Sequence, residues 1–99
     1  MNLSTFKASL AADTPPDGLS LPLQALWYEA KGDWAGAHRL AQQAETGEGS
    51  WVHAYLHRVE GDLSNARYWY TRAGRPPATQ PLQEEWEAIA QALLEGLGA

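Results

Sequence analysis

The sequence predicts an all-α fold: two helical hairpins, preceded by a short N-terminal helix and closed by an amphipathic C-terminal capping helix. Three observations carry this. Sliding the chain against itself by 29 residues lays Leu26 to Ala44, LWYEAKGDWAGAHRLAQQA, over Tyr55 to Ala73, YLHRVEGDLSNARYWYTRA, with Gly32/Gly61, Asp33/Asp62, Ala37/Ala66 and Ala44/Ala73 coincident. Each copy has apolar residues at helical spacing on both sides of a Gly-Asp turn. The last segment places Leu82, Trp86, Ile89, Leu93 and Leu97 on one side, with Glu84, Glu85, Glu87, Gln91 and Glu95 elsewhere.

Residues 1–18 read as an N-terminal helix and linker. Leu3, Phe6 and Leu10 give the helix its apolar side, and Pro15, Pro16 and Gly18 end it. Hairpin 1 spans residues 19–45. Its first helix starts at Ser20 to Pro22 and carries the stripe Leu23, Leu26, Trp27 and Ala30; its second carries Trp34, Ala37, Ala41 and Ala44. Thr46 to Gly49 is polar and Gly-rich and reads as a loop.

Hairpin 2 spans residues 50–74, with Val52, Tyr55, Leu56 and Val59 on the first helix and Leu63, Ala66, Tyr70 and Ala73 on the second. In both turns the glycine suits a positive φ, and the aspartate suits the cap of the following helix. The stretch Gly74 to Pro77, GRPP, is a stop, and the capping helix occupies residues 79–97, opening near Pro81.

Composition bounds the function. Ninety-nine residues leave room for one core and no second lobe. The absence of cysteine excludes disulfide scaffolds, thiol nucleophiles, zinc ribbons and iron-sulfur sites. The first twenty residues resemble neither a signal peptide nor a transit helix, and no apolar run is long enough for a membrane span. A cytoplasmic protein with no membrane partner is the expectation. The sequence GEGS at Gly47 to Ser50 lacks the lysine of a phosphate loop, no GxSxG is present, and no acid, base or nucleophile is organised, so no enzyme and no cofactor are expected. Residues 58–75 carry Arg58, Arg67, Arg72 and Arg75 against Glu60 and Asp62, within a chain of net charge -5. That overall charge disfavours nucleic acid.

The strings GDWAGAHRLAQQA and GDLSNARYWYTRA resemble tetratricopeptide repeats, whose second helix follows a Gly-Asp turn with alanine, an aromatic and a further alanine. Tyr70 supplies that aromatic in the second copy, where NARYWYTRAG also looks like the Sel-like variant of the repeat. Ala41 stands in its place in the first copy. The resemblance implies a helical-repeat module that binds a protein or peptide, or associates with itself, through a shallow groove on the first helices. It places Leu26, Glu29, Trp51, Tyr55 and Arg58 towards the ligand side, with Arg58 receiving a carboxylate; the other occupant the sequence allows for that groove is the C-terminal helix, which would make the aromatics wholly structural.

Nine aromatic residues of the repeats and capping helix divide by position. Trp27, Trp34 and Trp86 fall on stripes that must be buried, whereas Trp51 and Trp69 lie at the edges of theirs and are candidate partner contacts. Tyr68, Trp69 and Tyr70 fan out by about 100° each, so they cannot share one core face. A second candidate is chemical. The alternative function is a small metal- or ligand-binding protein, enzymatic or not, centred on His53, His57 and Glu29. His53 and His57, at i and i+4 on one helix, have the spacing of a metal-binding pair, with His38 or a distant carboxylate as third ligand, whereas the resemblance puts both histidines where the two helices of a hairpin pack.

Overall fold

The computed structural model describes residues 1–97, with side chains through Gly96, and among these the chain is all helical. Six α-helices follow one another: α1 (Leu3–Ala8), continued by a 3-10 turn over Ser9–Ala11, α2 (Leu21–Ala30), α3 (Trp34–Gln43), α4 (Gly47–Val59), α5 (Leu63–Ala73) and α6 (Leu82–Leu97). The expectation for the side chain of Leu97 lies outside the described residues.

The repeat is visible in backbone geometry. Gly32 and Gly61 adopt φ of 90° and 87°, which suits glycine because no Cβ opposes the left-handed region. Asp33 N–H donates to Tyr28 O at 2.9 Å, and Asp62 N–H to His57 O at 2.9 Å, so each turn closes on the same carbonyl of the preceding helix. Each aspartate then caps its own helix: Asp33 accepts from Gly36 N and Asp62 from Asn65 N. These turns fold α3 back on α2 and α5 back on α4.

One core joins the two first helices to the ends of the chain. Leu23, Leu26 and Trp27 of α2, Val52, Tyr55 and Leu56 of α4, and Trp86, Ile89, Ala90, Leu93 and Leu94 of α6 are buried together with Phe6 of α1. Phe6 stacks on Trp86 with ring centroids 5.6 Å apart. A smaller cluster of Ala54, Ala66 and Tyr70 joins α4 to α5. Helix α5 packs chiefly on α4, reaches α6 through the Tyr70 hydroxyl on Glu85, and turns its remaining surface outward.

Several boundary and face expectations change. The segment 47–49 is the first turn of α4, not a loop: the Thr46 hydroxyl caps Gly49 N at 3.0 Å, and Gly49 is buried against Ala44, where a larger residue has no room. Leu63, expected on the core stripe of α5, is 60% exposed because it opens an edge helix with nothing beyond it. Leu82, in the first turn of α6, is 39% exposed, and Ala30, expected on the core stripe of α2, is exposed at the last residue of that helix.

Candidate functional site

The face expected to hold a ligand is the inner face of α2 and α4, and α6 lies on it. Leu26 is fully buried, and its carbonyl accepts the Trp86 indole N–H at 3.0 Å. Tyr55 is buried in the same core. Burial raises its phenol above the ordinary range, and the negative charges of Glu29 and Glu85 push in the same direction. Arg58 donates to Glu85 at 2.8 Å and to the Gln80 carbonyl. Glu85 is 2% exposed and also accepts the Tyr70 hydroxyl. Glu29 stays half-buried beside Lys7, Tyr55 and Gln83, and burial raises its carboxyl above the usual value. The five residues assigned to an open groove therefore separate: Leu26, Tyr55 and Arg58 are engaged by α6, Glu29 sits at its margin, and Trp51 lies elsewhere.

Trp51 and Trp69 stand near the start of α4 and on α5. The Arg75 guanidinium lies 3.4 Å from the centroid of the Trp51 ring. Arg72 lies 5.2 Å from the Trp69 ring centroid and 5.8 Å from that of Tyr68, whose hydroxyl it also reaches at 3.0 Å. Flat guanidinium groups stack on aromatic faces in this way, keeping their N–H edges outward. Neither arginine has a carboxylate partner among the described residues, whereas Arg58 has one. Two cavities flank the first turn of α4. One of about 490 Å³ is bordered by Glu45, His53, Trp69 and Arg72; the other, of about 470 Å³, by Glu48, Trp51, Arg75 and Leu93. The expected division within Tyr68, Trp69 and Tyr70 is present: Tyr70 is buried, Trp69 half-buried and Tyr68 49% exposed.

The histidines converge. His38 of α3 and His53 and His57 of α4 offer ring nitrogens that all lie within 4.8 Å of one another. His53 is 3% exposed and stacks on Trp69 at 3.8 Å, while His38 stacks on Trp34 at 4.8 Å. The Nδ1 of His57 meets Glu60 Oε1 at 2.8 Å, and the Asn65 amide approaches its Nε2 at 3.4 Å. Burial, reinforced by the other two imidazoles, pushes His53 down to about 4. His38 is lowered by burial and by His57, with Glu60 opposing. Glu29, the carboxylate named with these histidines, lies by Lys7 and Tyr55 and not among them.

The pairing of Arg72 with Tyr68 was open to a reading of the sequence, since residues four apart share a helix face. The Arg75–Trp51 stack joins the segment after α5 to α4, the approach of His38 to His53 joins α3 to α4, and neither carries a periodic signal. No helix among the described residues is long and apolar enough to cross a membrane. No family model matches the chain, and neither a curated protein nor a solved structure is similar to it.

Proposed function

We propose that the chain is a non-enzymatic, tetratricopeptide-like binding module that takes an acidic segment of a partner protein, across Trp51, Trp69, Arg72 and Arg75 and not in the groove of the first helices. The observation that carries this reading is the pair of arginine–aromatic stacks beside two open cavities, with neither guanidinium group meeting a carboxylate among the described residues. Arginine and tryptophan are the commonest energetic anchors of protein interfaces. A guanidinium stacked on a ring is held ready for a bidentate carboxylate, so little side-chain freedom is lost on binding. Glu45 and Glu48 border the same cavities and select against a ligand of uniformly high negative charge. That argues for an acidic peptide with interspersed apolar residues.

Fluorescence anisotropy with a labelled peptide alternating Glu with Leu tests the reading. Binding in the micromolar range, weakened at least about tenfold by Arg72→Ala with Arg75→Ala, is expected, since each charge-assisted bond contributes about 1.5–3 kcal/mol. No binding, or binding indifferent to both substitutions, contradicts it. Sedimentation of the peptide-free protein checks the other occupant: a dimer abolished by the same substitutions assigns the face to a second copy of the chain.

A further inference from the structure

The docking face leaves the histidine cluster unexplained. His38, His53 and His57 come from two helices, and the hydrogen bonds their rings make among the described residues all belong to His57. His53 is almost wholly buried, yet no fully enclosed side-chain nitrogen or oxygen lacks a partner. Its unbonded ring nitrogens therefore open onto the cavity of about 490 Å³ that it borders. Imidazole nitrogens at a cavity wall with no protein partner among the described residues are free to ligate an ion that enters it.

We propose that His38, His53 and His57 form a three-histidine site for a divalent first-row transition metal of the zinc type. Three features support the assignment. Imidazole nitrogen suits zinc, copper and nickel. Tetrahedral zinc with Zn–N bonds of about 2.0–2.1 Å places its ligand nitrogens about 3.4 Å apart. The nitrogens here already lie within 4.8 Å of one another, and the soft ring torsion of histidine spans the difference. Third, Glu60 is placed as a supporting carboxylate. Accepting the Nδ1 proton of His57 at 2.8 Å, it leaves the lone pair on Nε2, the tautomer a ligand requires. The Asn65 amide, which approaches that Nε2 at 3.4 Å, is displaced when a metal takes the lone pair.

Three protein ligands leave the fourth position of a tetrahedral ion to water or a small anionic ligand. The cavity beside His53 gives that position access, and Arg72 on its border offers a donor to an anion bound there.

The test uses the full chain, stripped with chelator and titrated with zinc in a calorimeter, and in parallel with cobalt(II) followed by visible absorption. One zinc per chain with micromolar or tighter affinity is expected, together with the intense absorption of tetrahedral cobalt. His38→Ala and His57→Ala weaken binding at least about 100-fold, and Glu60→Gln by about tenfold as a supporting ligand should. His38 is only half-buried, so its variant keeps the wild-type circular dichroism spectrum and serves as the decisive one. The Arg75→Ala protein, altered on the docking face alone, still binds zinc, which separates this site from that face. Absence of heat at about 100 μM zinc, far above the affinity of an ordered three-ligand site, overturns the proposal. So does the weak spectrum of octahedral cobalt, or tight binding that survives in folded His38→Ala.

Discussion

Arg58 and Glu85 meet at 2.8 Å across the interface of α4 and α6, and the carboxylate that Arg58 was expected to take from a ligand comes from its own chain. Glu85 is buried and accepts a second hydrogen bond from Tyr70 of α5, so one carboxylate ties three helices together. The inner face of the hairpins is thereby a core and not a groove.

Removing that carboxylate leaves a largely buried guanidinium with one carbonyl partner and takes from the buried Tyr70 phenol the acceptor of its proton. Glu85→Ala is expected to cost about 3 kcal/mol or more, the range for breaking a buried pair from one side. Tyr70→Phe is expected to cost about 1 kcal/mol, as for one neutral hydrogen bond. Urea unfolding followed by circular dichroism measures both. Equal effects within error would mean that Glu85 does not hold the three helices.

Gly49→Ala reverses the usual preference for alanine in a helix, which is about 1 kcal/mol. A Cβ at Gly49 would lie 2.7 Å from the Cβ of Ala44 and closer still to its carbonyl oxygen, a backbone atom that cannot swing aside. A net loss of about 1–3 kcal/mol is expected, as for other overpacked sites. A stabilised variant in thermal unfolding would show that the α3–α4 junction yields freely.

Trp86 is stacked on Phe6 and bonded through its indole to the Leu26 carbonyl. Trp86→Ala is expected to cost about 3–5 kcal/mol, the range for emptying an aromatic core site. The loss should exceed that of Trp69→Ala in the same denaturation assay, because the Trp69 ring keeps one face near solvent.

Glu29 gives a pH dependence of unusual sign for a carboxylate. Burial raises its folded-state pKa above the unfolded value of about 4.5, so between those two values the folded protein holds more protons than the unfolded chain. Its contribution to stability is present below the unfolded value and is lost as pH rises through the folded one. Glu29→Gln is therefore expected to be more stable than wild type at pH 7, with the difference vanishing below about pH 4 as the carboxyl protonates. Lys7 and Tyr55, which border the same pocket, are unchanged in that variant. Thermal melts at the two pH values check this, and a Glu29→Gln protein less stable at pH 7 contradicts it.

The hairpins were legible because their information is local. Gly32-Asp33 and Gly61-Asp62 fix the two turns whatever surrounds them, and apolar spacing fixes which side of α2, α4 and α6 is buried. The tryptophans divided only in part: Trp27 and Trp86 sit centrally on their stripes and are buried, whereas Trp34, expected with them, is half-buried like Trp51 and Trp69, because α3 covers α2 and α4 from outside the main core. What failed was non-local. The amphipathic character of α6 announces a partner surface without saying which one, so the sequence leaves open whether the carboxylate opposite Arg58 belongs to a ligand or to α6, and the packing of α6 decides it. Leu63 lay on a correct helical stripe, but α5 is an edge helix, and spacing cannot show that the chain places nothing beyond it. Glycine content suggested a loop at 47–49, although Thr46 supplies a cap and Gly49 a close approach to Ala44. Among the candidate contacts, Arg72 and Tyr68 share one helix face, whereas Arg75 reaches Trp51 only through the packing of α5 on α4.

The indole N–H groups report directly on where a partner docks. Those of Trp27, Trp34 and Trp86 are bonded to Ser9, Leu56 and Leu26, while Trp51 and Trp69 line the two cavities. Titration of the nitrogen-15-labelled protein with the Glu-Leu peptide, read in the indole region of a proton–nitrogen correlation spectrum, is expected to move the Trp51 and Trp69 resonances and leave the other three in place. Movement of the Trp86 resonance with Trp51 and Trp69 unmoved would mean that the ligand displaces α6 from the inner face, and would contradict the assignment of the binding surface.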